Sequence, residues 1–117
     1  MISGIQSALS GAQAFSAKIE SNAHNIANLN TEGYRKSRVV LSAGVAQSVQ
    51  ATVGRVDAPG PVVNEETAQG YAVRELSNVD LGEEIPGLMR NTHGYAANLR
   101  TVQVSDNMLQ TLLDIKA

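Results

Sequence analysis

The sequence contains no cysteine and no tryptophan, and it has only one phenylalanine, Phe15, and three tyrosines. The absence of cysteine excludes a disulfide framework and a thiolate metal site, although it does not fix the cellular compartment. Large rings usually supply much of the buried area of a compact core or a ligand pocket. A core built from Ala, Val, Leu and Ile therefore favours helix-on-helix packing over a carved pocket.

Excess positive charge and long apolar runs are also missing. The formal net charge of −2 leaves no basic footprint for nucleic acid. The start of the chain, Met1 to Ile5, lacks the basic residues and continuous apolar stretch of a cleaved signal peptide, and no run is long and apolar enough to span a membrane. The 117 residues therefore indicate one domain that is cytoplasmic, or exported by a route that needs no such signal.

Apolar and small residues recur at alternating steps of three and four near the N-terminus: Ile2, Ile5, Leu9, Ala12, Ser16, Ile19, Ala23 and Ile26. This heptad spacing predicts one long helix over residues 1–30. The stretch that begins at Asn28 should end it, with Thr31 shaping the turn and Gly33 in a left-handed conformation.

A second heptad pattern occupies the other end and runs from Leu81 to Leu113. It predicts a C-terminal helix within residues 77–117, with Asp80 as its N-cap and Glu83 as the capping-box partner. Pro86 should kink this helix or delay its start, because proline removes a backbone hydrogen bond.

The middle of the chain, residues 31–76, reads as a basic turn followed by a short β/loop segment. Alternation over residues 45–53 predicts a strand, residues 57–61 form a strong turn signal, and residues 71–76 predict a second short strand. We therefore expect a mainly α fold, with the two terminal helices paired as an elongated coiled-coil-like hairpin around a short β/loop segment, and one elongated domain overall.

Charge placement suggests association with other chains. Residues 1–31 carry only Lys18 and Glu20 as charged groups, so the first helix is either a weakly helical tail or buried on several sides by neighbours. Elsewhere, basic residues cluster after the first helix and acidic residues in the middle segment. These patches are either solvated surfaces or electrostatic contacts between subunits, for which the candidates are Arg35, Lys36, Arg38, Glu65 and Glu66.

Candidates for catalysis or ligand binding are weak. His24 and His93 lie on different predicted helices, and two nitrogens without an obvious third ligand make a poor metal site. Glu83 and Glu84 project in different directions from a helix, which suits capping and surface charge better than acid/base catalysis. We therefore predict no catalytic, metal-binding or cofactor-binding residue, and a protein that is not an enzyme.

Two segments resemble a known family. The stretch Asn25-Ile26-Ala27-Asn28, followed by Thr31 and by Gly33-Tyr34, resembles the N-terminal signature of the bacterial flagellar rod, hook and hook-associated proteins. Near the other end, the segments 77–81, 95–98 and 106–113 look like the C-terminal helix of that family. In place of the family's usual features, this chain has His24, Pro86-Gly87 and Gly94.

The resemblance implies export through the flagellar type III apparatus without a cleaved signal peptide, and a location in the periplasmic rod of the flagellar basal body. It also implies terminal helices that pair as a coiled coil and stack into a tube with copies of the chain and with other rod and hook proteins. The expected function is a structural subunit of the rod or a related axial tube. The alternative is a non-polymerising adaptor or capping helical module of the same assembly.

The predicted assembly interface combines the two heptad seams with a row of asparagines. Asn22, Asn25 and Asn28 recur every three residues, and they form either an exposed polar strip or, as the family resemblance favours, an interface that sets register. The full predicted interface is Ile5, Leu9, Ile19, Asn22, Asn25, Ile26, Asn28, Tyr95, Asn98, Leu99, Val102, Leu109 and Leu113.

Overall fold

The computed structural model describes residues 2–116, so Met1 and Ala117, the outermost residues of the two predicted helices, lie outside the described residues. Helix α1 (Ile2–Ala27) and helix α2 (Leu81–Lys116) flank four strands, β1 (Ser37–Ala43), β2 (Val49–Arg55), β3 (Val62–Thr67) and β4 (Gly70–Glu75). A short 3-10 turn (Val45–Gln47) connects the first two strands.

The strands form two separate antiparallel hairpins. Hairpin 1 pairs β1 with β2, with Val39 opposite Val53, and hairpin 2 pairs β3 with β4, with Glu66 opposite Tyr71. The predicted mainly α fold with a short β/loop segment is therefore wrong in its middle, where both hairpins are fully paired. The reason is that residues 37–43 and 62–67, which showed no clear local signal, become strands by pairing with partners further along the chain.

Helix α1 is covered on two sides by the rest of the chain. Helix α2 runs antiparallel to it, with Asn98 against Gly11 and Gly94 against Phe15. Hairpin 1 packs along another face of α1, where Val39 is buried and the Val49 amide donates to Ser10 Oγ at 3.1 Å. The small and uncharged side chains of α1 are thus partly explained by packing inside the monomer, because both neighbours approach closely.

The molecule is elongated, with principal extents of 82 × 23 × 16 Å and a radius of gyration of 21.0 Å. A compact chain of this length would have a radius of gyration near 13 Å. Helix α2 accounts for about 54 Å of the long axis at its usual rise per residue. Since hairpin 1 lies beside α1, hairpin 2 supplies the extension beyond the junction where α1 ends and α2 begins.

Helix α2 begins where its cap predicts. The backbone N–H of Gly82 donates to Asp80 Oδ1 at 2.8 Å, so the predicted N-cap is confirmed. Glu83 does not complete a capping box, because its carboxylate accepts a hydrogen bond from Lys36 Nζ. Pro86 does not delay the helix, which is assigned continuously from Leu81, since proline within the first two turns removes a single intrahelical bond.

Candidate assembly surfaces

A buried polar network joins α1, β1 and α2 at one end of the helix pair. Its centre is Asn25, whose side chain is 1% exposed. The Asn25 amide nitrogen donates to the Ser37 carbonyl at 2.9 Å and to Glu84 Oε1 at 3.1 Å, while its oxygen accepts from the Ser37 N–H at 2.9 Å and from the Tyr34 hydroxyl at 3.2 Å. One side chain therefore fixes three elements and the turn before β1.

Asn22 extends this network along the helix pair. Its amide nitrogen donates to Glu84 Oε2 at 2.6 Å, and its oxygen accepts from the Asn91 amide at 2.7 Å. Glu84 is only 7% exposed and receives an amide hydrogen bond on each carboxylate oxygen. Asn22 and Asn25 thus bind α2 within the monomer, and their predicted role between subunits stays a prediction.

Asn28, Thr31 and Gly33 lie in the turn that follows α1. The Asn28 amide donates to the His24 carbonyl at 2.8 Å, and the Thr31 hydroxyl donates to Asn28 Oδ1 at 3.1 Å. Gly33 has φ of +66°, and its N–H donates to the Glu75 carbonyl at 3.0 Å, at the base of hairpin 2. The left-handed conformation expected for Gly33 is confirmed.

Three of the five charged candidates make ion pairs inside the monomer. Arg35 pairs with Glu75, Lys36 pairs with Glu83 at 2.9 Å, and Glu65 pairs with Arg74 at 2.7 Å. Arg38 and Glu66 make no such pair within the part of the chain that the structure describes. These two charges therefore remain available for contacts with another molecule.

Arg74 ties hairpin 2 to the turn after α1. Its guanidinium pairs with Glu65 across the hairpin and with Glu32 at 2.6 Å. The hydrogen bond to Glu65 and the nearby charge of Glu32 raise the pKa of Arg74 above its ordinary value. The guanidinium is therefore charged throughout the physiological pH range, and both ion pairs persist across it.

The α1–α2 contact does not follow the most apolar stripe of α2. The residues of α2 that contact α1 include Gly87, Asn91, Gly94 and Asn98, which are small or polar. The predicted interface residues Tyr95, Asn98, Val102 and Leu109 are half-buried, whereas Leu99 and Leu113 are exposed. On α1, Ile5, Ile19 and Ile26 are half-buried and Leu9 is exposed.

An apolar stripe of α2 therefore stays on the surface. Its first half comprises Leu81, Ile85, Met89 and Leu99, of which Ile85 is 44% and Met89 is 59% exposed. Met108, Leu112, Leu113 and Ile115 add further exposed apolar area towards the end of the helix. Sequence periodicity found these residues but placed several of them in the intramolecular seam. The sequence signal for the face that contacts α1 was the row of glycine and asparagine residues on α2, which comprises Gly87, Asn91, Gly94 and Asn98.

A polar cleft lies between α1, the start of β1 and the first three turns of α2. Its volume is about 350 Å³, and Lys18, Lys36, Arg38 and Arg90 contribute to its walls together with Glu83 and Glu84. Within residues 2–116, no carboxylate lies within salt-bridge distance of Lys18, Arg38 or Arg90. The cleft therefore has an excess of unpaired positive charge at its rim.

Residues 2–116 contain neither a candidate metal cluster nor a candidate membrane-spanning helix. No group of three or more His, Asp and Glu side chains in that range is arranged to hold a metal ion. Neither helix there combines the length and the apolar character that a membrane span requires.

The elongated helix pair carries exposed apolar stripes, and such stripes commonly mark protein interaction sites. Comparison with known proteins agrees. Residues 5–35 match the family model described as flagella basal body rod protein, and residues 68–115 match the model described as flagellar basal body rod FlgEFG protein C-terminal. The chain belongs to the flagellar rod protein family, whose members are structural components of the flagellar basal body. No curated protein matches the chain.

Proposed function

We propose that the chain is a structural subunit of the bacterial flagellar basal-body rod, or of a related axial tube, and that it assembles through its terminal helices. Its partners are copies of itself and other rod and hook proteins. It reaches the periplasmic rod through the flagellar export apparatus without a cleaved signal peptide, and it has no enzymatic activity.

The exposed apolar stripe of α2 is the observation that carries this proposal. Leu81, Ile85, Met89 and Leu99 repeat at helical spacing on a surface that α1 leaves open. Burying one such side chain contributes about 1.5–3 kcal/mol, so a stripe of four is a strong driving force for helix packing between subunits. The two family matches cover the terminal helices that would form this contact.

The end of α2 also extends beyond α1. Because Gly11 faces Asn98 and Phe15 faces Gly94, the start of α1 lies near Asn107 in the antiparallel pair. About nine residues of α2, roughly 14 Å of helix, therefore have no partner in α1. Leu112, Leu113 and Ile115 lie in this overhang, where a helix of a neighbouring subunit can cover them.

The alternative is a non-polymerising adaptor or capping module of the same assembly. It draws support from the cover of α1 by α2 and hairpin 1, which gives the monomer its own packed centre. The two functions differ in whether the α2 stripe is needed to form an ordered polymer.

Electron microscopy of the concentrated protein, with and without other rod subunits, tests the proposal. We expect tubes or short rods from the unaltered chain and none from the double variant Ile85→Gln, Leu99→Gln. The matched control is Ala97→Gln, an exposed residue on another face of α2. Circular dichroism checks that all three proteins remain helical. Particles that bind rod subunits without elongating would instead establish the adaptor.

A further inference from the structure

Hairpin 2 projects from the body of the molecule with little support from it. All six residues of β3 are exposed, as are Tyr71 and Val73 of β4. An isolated two-stranded hairpin is at best marginally stable in water. Apart from Arg74, its links to the rest of the chain lie at its base, where Glu75 accepts from Gly33 and pairs with Arg35. Hairpin 2 is therefore a ribbon about 20 Å long whose distal part is free to meet another molecule.

The distal part of hairpin 2 presents a distinctive pair of side chains. Glu66 and Tyr71 are directly opposite each other in the strand register, so both project from the same face. Tyr71 is 78% exposed, and Glu66 makes no ion pair within residues 2–116. A carboxylate beside an aromatic ring matches the chemistry of a guanidinium group, which binds carboxylates through two parallel hydrogen bonds and stacks on aromatic faces.

The same chain carries guanidinium groups that suit this pair. Arg38 and Arg90 line the polar cleft with Lys18, and none of the three has a carboxylate partner in the described part of the chain. The cleft volume of about 350 Å³ is enough for a few side chains at the end of a narrow ribbon. No residue of hairpin 2 lines this cleft in the same molecule, so the cleft is open to a second copy.

We propose that the distal part of hairpin 2 from one copy, with Glu66 and Tyr71, docks in the cleft of a second copy between Lys18, Arg38 and Arg90. The two surfaces are different parts of the chain, so the contact is head-to-tail and links successive copies into a ring or an open filament. This inference rests on the proposed function only in taking the partner to be a second copy of the chain. It gives the axial assembly a second contact that does not use the α2 stripe.

Cross-linking of the full chain tests this contact. Because the protein has no cysteine, single cysteines report one contact each. One preparation carries Ala68→Cys at the turn of hairpin 2, and the other carries Val40→Cys, on the same strand face as Arg38. With a short bismaleimide, we expect a cross-linked product in the mixture and little in either preparation alone. The product should fall as ionic strength rises, because partly exposed charge pairs are screened by salt.

Charge reversal supplies the decisive variants. Adding Glu66→Arg to the hairpin copy, or Arg38→Glu with Arg90→Glu to the cleft copy, should lower the cross-linked yield at least tenfold. Mixing the two reversed copies should restore most of it, which misfolded variants would not do. Arg100→Glu, a single charge reversal elsewhere on α2 of the cleft copy, should have no effect. An unchanged yield in the reversed variants, or no recovery on mixing, overturns the proposal.

The outcomes separate this contact from the proposed function. Tubes without a cross-link between hairpin and cleft overturn the contact and leave the structural role intact. A cross-link that responds to charge reversal in a protein that never forms tubes supports the contact and overturns the role as a rod subunit. Absence of both overturns both.

Discussion

Asn25 and Glu84 lie 59 positions apart in the sequence, and the Asn25 amide donates a hydrogen bond of 3.1 Å to the Glu84 carboxylate. Asn25 holds β1 through Ser37 at the same time, so this contact joins the end of α1 to the start of α2 and to hairpin 1. Asn25 belongs to the segment that resembles the family signature. It is thus also the residue that joins α1, α2 and hairpin 1 within the monomer.

Replacing Asn25 with Ala should lower the free energy of unfolding by about 3 kcal/mol, because it leaves the partly buried Ser37 N–H and one oxygen of the buried Glu84 without their partner. Urea unfolding followed by circular dichroism measures the change. Asn107→Ala is the matched control, since Asn107 is exposed on α2, and it should change stability by less than about 0.5 kcal/mol. Equal losses of unfolding free energy in both variants would contradict the role of Asn25 in joining α1, α2 and hairpin 1.

Gly94 makes room for Phe15. A Cβ atom added at Gly94 would lie 2.6 Å from the Phe15 ring, closer than such atoms approach in proteins. Gly94→Ala should therefore destabilise the unaltered chain by roughly 1 kcal/mol or more through displacement of the ring. In a Phe15→Ala background the space is free, and the same change should stabilise the helix by up to about 1 kcal/mol.

The sign reversal in this double-mutant cycle is the measurement, made by thermal or urea unfolding. Gly4→Ala serves as the control, since a Cβ there would contact nothing within 4 Å. It should stabilise α1 slightly in both backgrounds. If Gly94→Ala changes the free energy of unfolding equally with and without the Phe15 ring, contact with that ring is not the reason that position 94 requires glycine.

Gly33 has a left-handed backbone, with φ of +66°. A side chain in that conformation costs about 1–2 kcal/mol, and asparagine tolerates it better than other residues. We expect unfolding free energy to fall in the order Gly33, Gly33→Asn, Gly33→Ala, with Gly33→Val lowest. Gly54→Ala in β2 is the control, because the φ of Gly54 is not positive, and it should be near neutral.

Arg74 links hairpin 2 to Glu32, so Arg74→Gln should loosen the hairpin while leaving the helices intact. Hydrogen exchange measured by mass spectrometry should rise severalfold in residues 62–75 and stay unchanged in α2. Arg100→Gln, an exposed change on α2, should leave both unaltered. Uniformly faster exchange across the whole chain would point to global unfolding instead.

The pH dependence of the same contact follows from the raised pKa of Arg74. A raised pKa in the folded state means that the stabilising charge is fully present below the ordinary pKa and is lost only as pH rises through the raised value. Both lie far above neutrality, so the arginine itself contributes no change to hairpin 2 exchange protection between pH 6 and 9, once intrinsic exchange rates are corrected.

Some features of the fold could be predicted because their signals are local. The heptad spacing identified a helix near each end, Asp80 carried the cap of α2, and Gly33 carried the left-handed turn. Each depends on the conformational preferences of a few neighbouring residues. The paired signature segments pointed to the flagellar rod family, which the comparisons show.

The hairpins could not be predicted in the same way. Residues 37–43 and 62–67 become strands because β2 and β4 satisfy their backbone hydrogen bonds, which is a non-local condition. Tertiary pairing overrides weak local preference in such segments. The short β/loop prediction failed for this reason.

Apolar periodicity also failed to give the face of α2 that contacts α1. Periodicity selects the most apolar stripe as the inward one, yet Gly87, Gly94 and Asn98 face α1 in this chain. The ring of Phe15 needs the gap at Gly94, and the amide of Asn22 needs Glu84 and Asn91. These pairings depend on residues far apart in sequence, and they turn the apolar stripe outward.

By itself, the sequence determined the two long helices, the residues at which they start and stop, and the family. Helix periodicity, capping residues and signature segments all depend on residues that are close together in the sequence. Only the tertiary structure decided which face of each helix is buried within the monomer and which charges remain unpaired. Burial and pairing are properties of the assembled chain. The apolar stripe of α2, and Arg38, Arg90 and Glu66, are therefore recognisable as surfaces for a partner only after the monomer's own contacts have been counted.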